Sequence, residues 1–149
     1  MENGITRSGH ARKCNSYFWT DPNQKKCVLI VEDSPDIQGL LVRLLMSEGY
    51  ITECASNGRE ALDKLAAWSE SPGVILLDLM MPDMDGYEFR QEQEKHAKTG
   101  GIPVVVMTAD SDIQSKAMKL GARGYLKKPF LDVERILDTV GQFFPKSEK

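Results

Sequence analysis

The sequence lacks several features that would assign it to common classes of protein. No apolar stretch approaches the roughly 20 residues that a membrane-spanning helix needs. The first residues are mixed and polar, without the apolar centre of a secretory signal. The charge is nearly balanced, with 19 Lys and Arg against 22 Asp and Glu, so nothing indicates nucleic acid or a membrane as a partner. The three cysteines are odd in number and have no metal-like spacing, and we expect reduced thiols in a cytoplasmic protein.

The 149 residues, 41% hydrophobic and 28% charged, suit one domain with a single core. Residues 1–25 show no hydrophobic periodicity, and we interpret them as a flexible N-terminal extension. We expect the folded domain to span residues 26–145 and a short tail to span 146–149. Because so few residues follow the last predicted helix, we expect no room for a DNA-binding or catalytic output domain.

From residue 27 onward, short apolar runs alternate with segments of helical spacing. The predicted strands are CVLIVED, YITECA, GVILLD, IPVVVMTA and a short fifth strand within RGYLKKPF. The predicted helices lie within 34–49, 57–68, 87–98, 111–121 and 131–144. Ser34 is a candidate N-cap with Pro35 at the first helical position, whereas the third helix has few apolar anchors beyond Phe89. Five continuous apolar strands between five helices predict a doubly wound α/β fold with a parallel sheet covered on both faces.

Polar side chains stand where the predicted strands end, and ligands of such sheets bind beyond the carboxyl ends of the strands. These residues are Glu32 and Asp33 after the first strand, Asp78 after the third, Thr108 after the fourth and Lys128 after the fifth. Three carboxylates on one rim would repel each other unless a cation lies between them. A group of carboxylate oxygens with room for water suits Mg²⁺.

The remaining two side chains favour a phosphoryl group over simple storage of a metal ion. Lys128 would supply a positive charge and Thr108 a hydroxyl donor. Asp78 would be the nucleophile, since an ionised carboxylate needs no base to attack phosphorus. The metal and the lysine would then offset the charge on the equatorial oxygens during transfer.

Each of these residues alone has a plainer interpretation. Asp78 could hydrogen-bond the turn after its strand, and Glu32 and Asp33 could cap the first helix. Thr108 could be an ordinary strand threonine, and Lys128 a solvated lysine. Their occurrence together at successive strand ends favours the joint functional interpretation.

Four stretches of the sequence occur in an order that resembles the receiver domain of two-component response regulators, and the resemblance spans about residues 27–144. These stretches are VLIVEDSPD, VILLDLMMPDMDG, PVVVMTA and GYLKKPF. The resemblance is closest to single-domain receivers of the chemotaxis type. It implies a flavodoxin-like fold with strand order 2-1-3-4-5. It also implies that Asp78 is the phosphoacceptor.

The resemblance further implies a set of metal ligands. Asp33 would bind Mg²⁺ directly, Glu32 mainly through water, and Asp78 and the backbone carbonyl of Met80 would complete the protein ligands. Mn²⁺ is an alternative ion, and no other cofactor is implied. Asp83 and Asp85, in the loop after the acceptor, are expected to be turn or cap residues.

The resemblance also implies a conformational switch. Thr108 and Lys128 would each contact a phosphoryl oxygen, and a cis bond would join Lys128 to Pro129. Lys127 is a competing assignment for the lysine, but Lys128 directly precedes the proline. Tyr125 would turn inward as Thr108 moves, which would remodel the surface of the fourth helix, fifth strand and fifth helix. The alternative for Tyr125 is permanent packing.

The implied partners are a histidine kinase or histidine phosphotransfer protein and a downstream protein, with no direct contact to nucleic acid or membrane. The implied chemistry is self-phosphorylation from a phosphodonor and slow autodephosphorylation, so the label of enzyme stays open. Two alternatives remain: a receiver-like interaction module that works without phosphorylation, and a receiver excised from a hybrid kinase or larger regulator. A flavodoxin-like cofactor binder is disfavoured because Glu32 and Asp33 would repel a nucleotide phosphate.

Overall fold

A computed structural model describes residues 26–81 and 83–144. The predicted extension at 1–25 and tail at 146–149 lie outside the described residues. The strands are β1 (Cys27–Val31), β2 (Ile51–Ala55), β3 (Val74–Asp78), β4 (Val104–Thr108) and β5 (Gly124–Lys127). The helices are α1 (Pro35–Ser47), α2 (Gly58–Ala67), α3 (Gly86–Glu94), α4 (Ala97–Gly100), α5 (Ile113–Lys119) and α6 (Val133–Gly141). None of the helices in these ranges is long and apolar enough to cross a membrane.

The five strands form one parallel sheet in the order β2-β1-β3-β4-β5. All five residues of β1, β3 and β4 are buried, as expected for central strands covered on both faces. The predicted doubly wound fold and strand order are therefore confirmed. The order places the carboxyl ends of β1 and β3 side by side, with β4 next to them.

Two apolar clusters cover the two faces of the sheet. Along β1, Leu29 and Val31 belong to one cluster and Val28 and Ile30 to the other, because neighbouring side chains of a strand point to opposite faces. The first cluster includes residues of α2, α3 and α5, and the second includes residues of α1 and α6. These five helices thus bury their apolar sides on the sheet, and the polar residues at the strand ends stay outside both clusters.

Side-chain caps mark the starts of α1 and α3. The hydroxyl of Ser34 accepts a hydrogen bond from the backbone N–H of Ile37, and Pro35 is the first residue of α1. At α3, Asp85 and Glu88 form a reciprocal capping box. Asp85 is therefore a cap residue, as expected.

The structure differs from the prediction around the third helix. The described part of the chain contains one helix beyond the five predicted, the short α4. In addition, α3 is anchored by polar as well as apolar side chains. Gln93 is fully buried, and its amide donates hydrogen bonds to the carbonyls of Thr99 and Ile102. Arg90 is also buried, and its guanidinium donates to the side-chain oxygen of Gln93. Because these buried groups are hydrogen-bonded, a helix with only one large apolar anchor can pack.

The cysteines are only partly as expected. Cys54 is a free thiol, and burial raises its pKa to about 11, which keeps it protonated at neutral pH. Cys27 is disulfide-bonded. The expectation of reduced cysteines is therefore wrong for Cys27.

We expect Gly86→Ala to destabilise the protein by about 1–3 kcal/mol, measured by urea unfolding followed by circular dichroism. A Cβ atom at Gly86 would lie 2.7 Å from the carbonyl oxygen of Asp78 and 2.8 Å from the Cα of Leu79, and backbone atoms cannot move aside easily. Gly39→Ala, within α1, is the matched control and should stabilise by about 0.5–1 kcal/mol, since a Cβ there meets only Arg43 at 3.5 Å. Equal stability of Gly86→Ala and wild type would contradict this account.

Candidate functional site

Asp78 is the last residue of β3 and lies in the middle of the sheet edge. It is only 3% exposed. One carboxylate oxygen, Oδ1, accepts a hydrogen bond of 3.1 Å from the backbone N–H of Met80. Burying an ionised carboxylate costs free energy unless an opposite charge lies close to it. The neighbouring side chains therefore determine how Asp78 is stabilised.

The counter-charge comes from Lys128, just after β5. Its ammonium nitrogen lies 3.2 Å from Oδ2 of Asp78 and 2.7 Å from Oε1 of Glu32. The backbone N–H of Lys128 donates to the carbonyl of Thr108, which fixes the turn beside β4. Lys127 is exposed and makes the last sheet pairing with Thr108, so Lys128 is the lysine of the site. The Lys128–Pro129 bond is cis, as the resemblance implied.

Three acids form a cluster that could hold a metal ion. Oxygen atoms of Glu32, Asp33 and Asp78 all lie within 4.8 Å of one another. Both carboxylate oxygens of Glu32 are already engaged, Oε1 by Lys128 and Oε2 by the N–H of Ser34 at 3.1 Å. Asp33 is exposed. The cluster therefore offers one solvent-facing carboxylate beside two buried ones.

Burial and pairing shift the protonation of this cluster. Burial raises the pKa of Glu32, although its hydrogen bond from Lys128 acts in the opposite direction. Burial disfavours the charged form of Lys128, but the hydrogen bond to Glu32 and the charges of Asp78 and Glu32 outweigh it and raise the pKa of the ammonium group. Lys128 thus stays charged and is the main partner of both buried acids.

The two predicted switch residues lie on the neighbouring strands. Thr108 is buried at the end of β4, and its hydroxyl accepts a hydrogen bond of 3.3 Å from the N–H of Asp110. Tyr125 lies on β5 opposite Val106 and is partly buried, and the Arg135 guanidinium is 5.8 Å from its ring centroid. Thr108 is therefore at the same sheet edge as the acidic cluster.

The structure brings Glu32, Asp33, Asp78 and Lys128 into one constellation with Thr108 on the adjacent strand end. Of the other predicted ligands, Met80 contributes its N–H to Asp78, and its side chain is 66% exposed.

Sequence reasoning missed the contacts that orient these groups. Besides the N–H of Ser34, the side-chain amide of Gln38 donates to the backbone carbonyl of Glu32. The sequence signal that could have indicated the Gln38 contact was the position of this residue on the first turn of α1, next to the end of β1.

We expect Lys128→Met to lower the free energy of unfolding at pH 7 by about 1–3 kcal/mol, because two buried carboxylates lose their counter-charge. The variant should raise the pKa of Glu32 further. A carboxyl with a higher pKa in the folded state destabilises the fold as pH rises from its unfolded to its folded pKa. The loss of stability relative to wild type should therefore become smaller as the pH falls toward the ordinary glutamate pKa of about 4.3.

Urea unfolding between pH 4 and pH 8, read by the fluorescence of the buried Trp68, would measure this difference. Lys127→Met removes an exposed lysine next in sequence and is the control. A loss of stability that does not depend on pH, or that is equal in Lys128→Met and Lys127→Met, would contradict the assigned role of Lys128.

Comparison with known proteins agrees with this geometry. The family model for the response regulator receiver domain matches residues 28–141. Protein PilH of Pseudomonas aeruginosa is 35% identical over 115 residues, which cover 76% of this chain and 93% of PilH. Sporulation initiation phosphotransferase F of Bacillus subtilis is 37% identical over 120 residues, with 79% and 93% covered. The probable transcriptional regulator ycf27 of Guillardia theta is 38% identical over 112 residues, 74% of this chain but only 42% of ycf27. The chain thus spans less than half the length of that relative.

Solved structures give the same result for the fold. The chemotaxis response regulator CheY4 of Vibrio cholerae superposes with a TM-score of 0.70 and 32% identity, covering 78% of this chain and 97% of CheY4. The response regulator TrrA of Thermotoga maritima, in complex with Mg²⁺-BeF, has a TM-score of 0.68 and 31% identity, covering 79% and 98%. With the family model matching most of its length, the chain belongs to the response regulator receiver domain family of two-component signalling.

Proposed function

We propose that this protein is a phosphorelay receiver in which Asp78 accepts a phosphoryl group in a Mg²⁺-dependent reaction. The observation that carries the proposal is a buried carboxylate 3.2 Å from a lysine ammonium, with oxygens of two further acids within 4.8 Å. Residues 26–145 are the functional unit in this proposal. TrrA, a relative in the same family, was crystallised in complex with Mg²⁺-BeF.

The donor set fits Mg²⁺, because it consists of carboxylate oxygens on one rim with one side facing solvent. Asp33 would bind the ion directly, since it is the exposed acid. Glu32 would act through water, since both of its oxygens are engaged. Asp78 and the backbone carbonyl of Met80 would complete the protein ligands, and Mn²⁺ would suit the same oxygens. When bound, the ion would neutralise part of the charge that builds up on a transferring phosphoryl group.

Asp78 would act as the nucleophile. A carboxylate oxygen forms the new bond to phosphorus while the bond from phosphorus to the donor's leaving group breaks, and that group departs with the electron pair. Lys128 is already next to Asp78 and would pair with one phosphoryl oxygen. The hydroxyl of Thr108 would donate to another after leaving its contact with the N–H of Asp110. The resulting chemistry is self-phosphorylation and slow autodephosphorylation.

The output would be a change of surface. Movement of Thr108 would open space for the ring of Tyr125, which lies partly buried on β5, and would remodel the surface of α5, β5 and α6. The donor would be a histidine kinase or a histidine phosphotransfer protein, and the target a downstream protein in the cytoplasm. Neither nucleic acid nor a membrane would contact the site directly.

Incubation with a small phosphodonor and Mg²⁺ should add one phosphoryl group, detected by intact-protein mass spectrometry. We expect Asp78→Asn to abolish the gain, because an amide is a poor nucleophile. Asp83→Asn, in the same loop, is the control and should gain the group normally, since Asn tolerates the left-handed backbone of Asp83 at φ 64. Labelling that persists in Asp78→Asn would overturn Asp78 as the acceptor, and no labelling of wild type would favour an interaction module that works without phosphorylation.

We expect Asp33→Asn to weaken Mg²⁺ binding about tenfold or more, because one carboxylate charge near the ion is worth at least ~1.4 kcal/mol even when partly solvated. Isothermal titration calorimetry would measure the affinity. Asp36→Asn, another acid in the first turn of α1, controls for the loss of general negative charge. An equal loss in both variants would contradict direct ligation by Asp33.

A further inference from the structure

The loop between β3 and α3 carries part of the candidate site. It starts directly after Asp78 and contains Met80, whose N–H donates to the Asp78 carboxylate and whose carbonyl is a predicted metal ligand. The N–H of Gly86 donates to the carbonyl of Leu79 at 3.2 Å. This bond joins the two ends of the loop, so the position of the residues between them depends on other contacts.

One such contact comes from the start of α2. The N–H of Gly58, the first residue of α2, donates to the carbonyl of Met84 at 3.0 Å. Gly58 is buried, and Met84 packs against the first apolar cluster. A Cβ atom at Gly58 would lie 2.8 Å from Cγ of Met84 and 3.0 Å from its carbonyl oxygen. Both distances are shorter than van der Waals contact, so a side chain fits here only if the loop moves.

The turn between β2 and α2 is also attached to the other side of the site. The N–H of Glu32 donates to the carbonyl of Ala55 at 2.9 Å. The turn is fixed to its helix by Asn57, whose side chain accepts a hydrogen bond of 2.8 Å from the N–H of Glu60. Residues 55–58 therefore contact Glu32 on one side and the loop after β3 on the other, although β2 carries none of the candidate site residues.

We propose that Gly58 is a positioning residue for the magnesium site. Its close contact with Met84 fixes the loop after β3, and with it the backbone of Met80 relative to Asp78. Mg²⁺ demands oxygen ligands at about 2.0–2.1 Å in near-octahedral geometry, so a small displacement of one ligand lowers the affinity. This inference rests on the proposed function, because the carbonyl of Met80 is a metal ligand in that proposal.

Isothermal titration calorimetry of the full chain with Mg²⁺ would test the role of Gly58. We expect Gly58→Ala to bind Mg²⁺ about tenfold more weakly than wild type, since contacts that orient metal ligands commonly contribute this much. Gly39→Ala is the matched control, because a Cβ there meets only Arg43 at 3.5 Å, and it should bind as wild type does. Equal affinities of Gly58→Ala and wild type would overturn the proposal.

A double-mutant cycle separates the Gly58–Met84 contact from general damage to the fold. Met84→Ala removes Cγ, the atom closest to a Cβ at Gly58, and keeps the carbonyl. In the Met84→Ala background, Gly58→Ala should therefore cost less than about twofold in Mg²⁺ affinity. A loss of the same size in both backgrounds would show that the affinity falls by another route, and it would overturn the assigned contact.

NMR of the metal-free full chain provides a readout that does not depend on the ion. In Gly58→Ala the amide signals of Met80 and Gly86 should shift by more than they do in Gly39→Ala, because their hydrogen bonds report on the position of the loop. The amide of Lys128, bonded to the carbonyl of Thr108 across the site, should keep its signal. Unchanged signals of Met80 and Gly86 would contradict the positioning role.

These measurements also distinguish failure of this inference from failure of the proposed function. If wild type binds no Mg²⁺, the metal site of the proposed function fails. The metal-free amide signals then still decide whether Gly58 positions the loop: shifts in Gly58→Ala support it, and their absence overturns it. If wild type binds Mg²⁺ and Gly58→Ala binds it equally well, the metal site stands and the role of Gly58 is overturned.

Discussion

The contact of Lys128 with both Glu32 and Asp78 is the interaction on which the site depends. Two buried carboxylates at one sheet edge would repel each other, and a single ammonium group lies within 3.2 Å of both. With exposed Asp33 included, three negative charges and one positive charge leave a net charge of −2. A divalent cation would balance this net charge of −2. The lysine therefore makes the cluster compatible with a folded protein and leaves it attractive to a metal ion.

The sheet order determines which side chains can take part. Because β1 lies next to β3, and β4 and β5 follow, the polar residues at the carboxyl ends of these four strands lie along one edge of the sheet. All five positions of β1, β3 and β4 are buried, so the backbone that carries Glu32, Asp78 and Thr108 is fixed by the core. Groups held on the ends of rigid strands keep their geometry better than groups on loops. The position of Lys128 is fixed as well, by its N–H bond to the carbonyl of Thr108.

The fold was predictable because its signals are local and repeated. Continuous apolar strands, Ser34 with Pro35 and the acids after the strands each follow from short stretches of sequence. The packing of α3 was not predictable, since it depends on Gln93 and Arg90 finding carbonyls that are 6 to 31 residues away along the chain. Periodicity arguments count apolar residues and miss a buried polar anchor. The disulfide at Cys27 was missed for a related reason, because cysteine counting does not report spatial proximity.

The arrangement also shows where the folded protein gives up stability. Burial raises the pKa of Glu32, so its ionised form is less stable in the folded protein than in water. A neutral residue there would relieve that cost, but it would remove the acceptor of the Lys128 hydrogen bond and leave the ammonium to Asp78 alone. The cost can be borne because the apolar core on both sheet faces is separate from the site. Electrostatic strain is thus concentrated at one edge of an otherwise well-packed sheet.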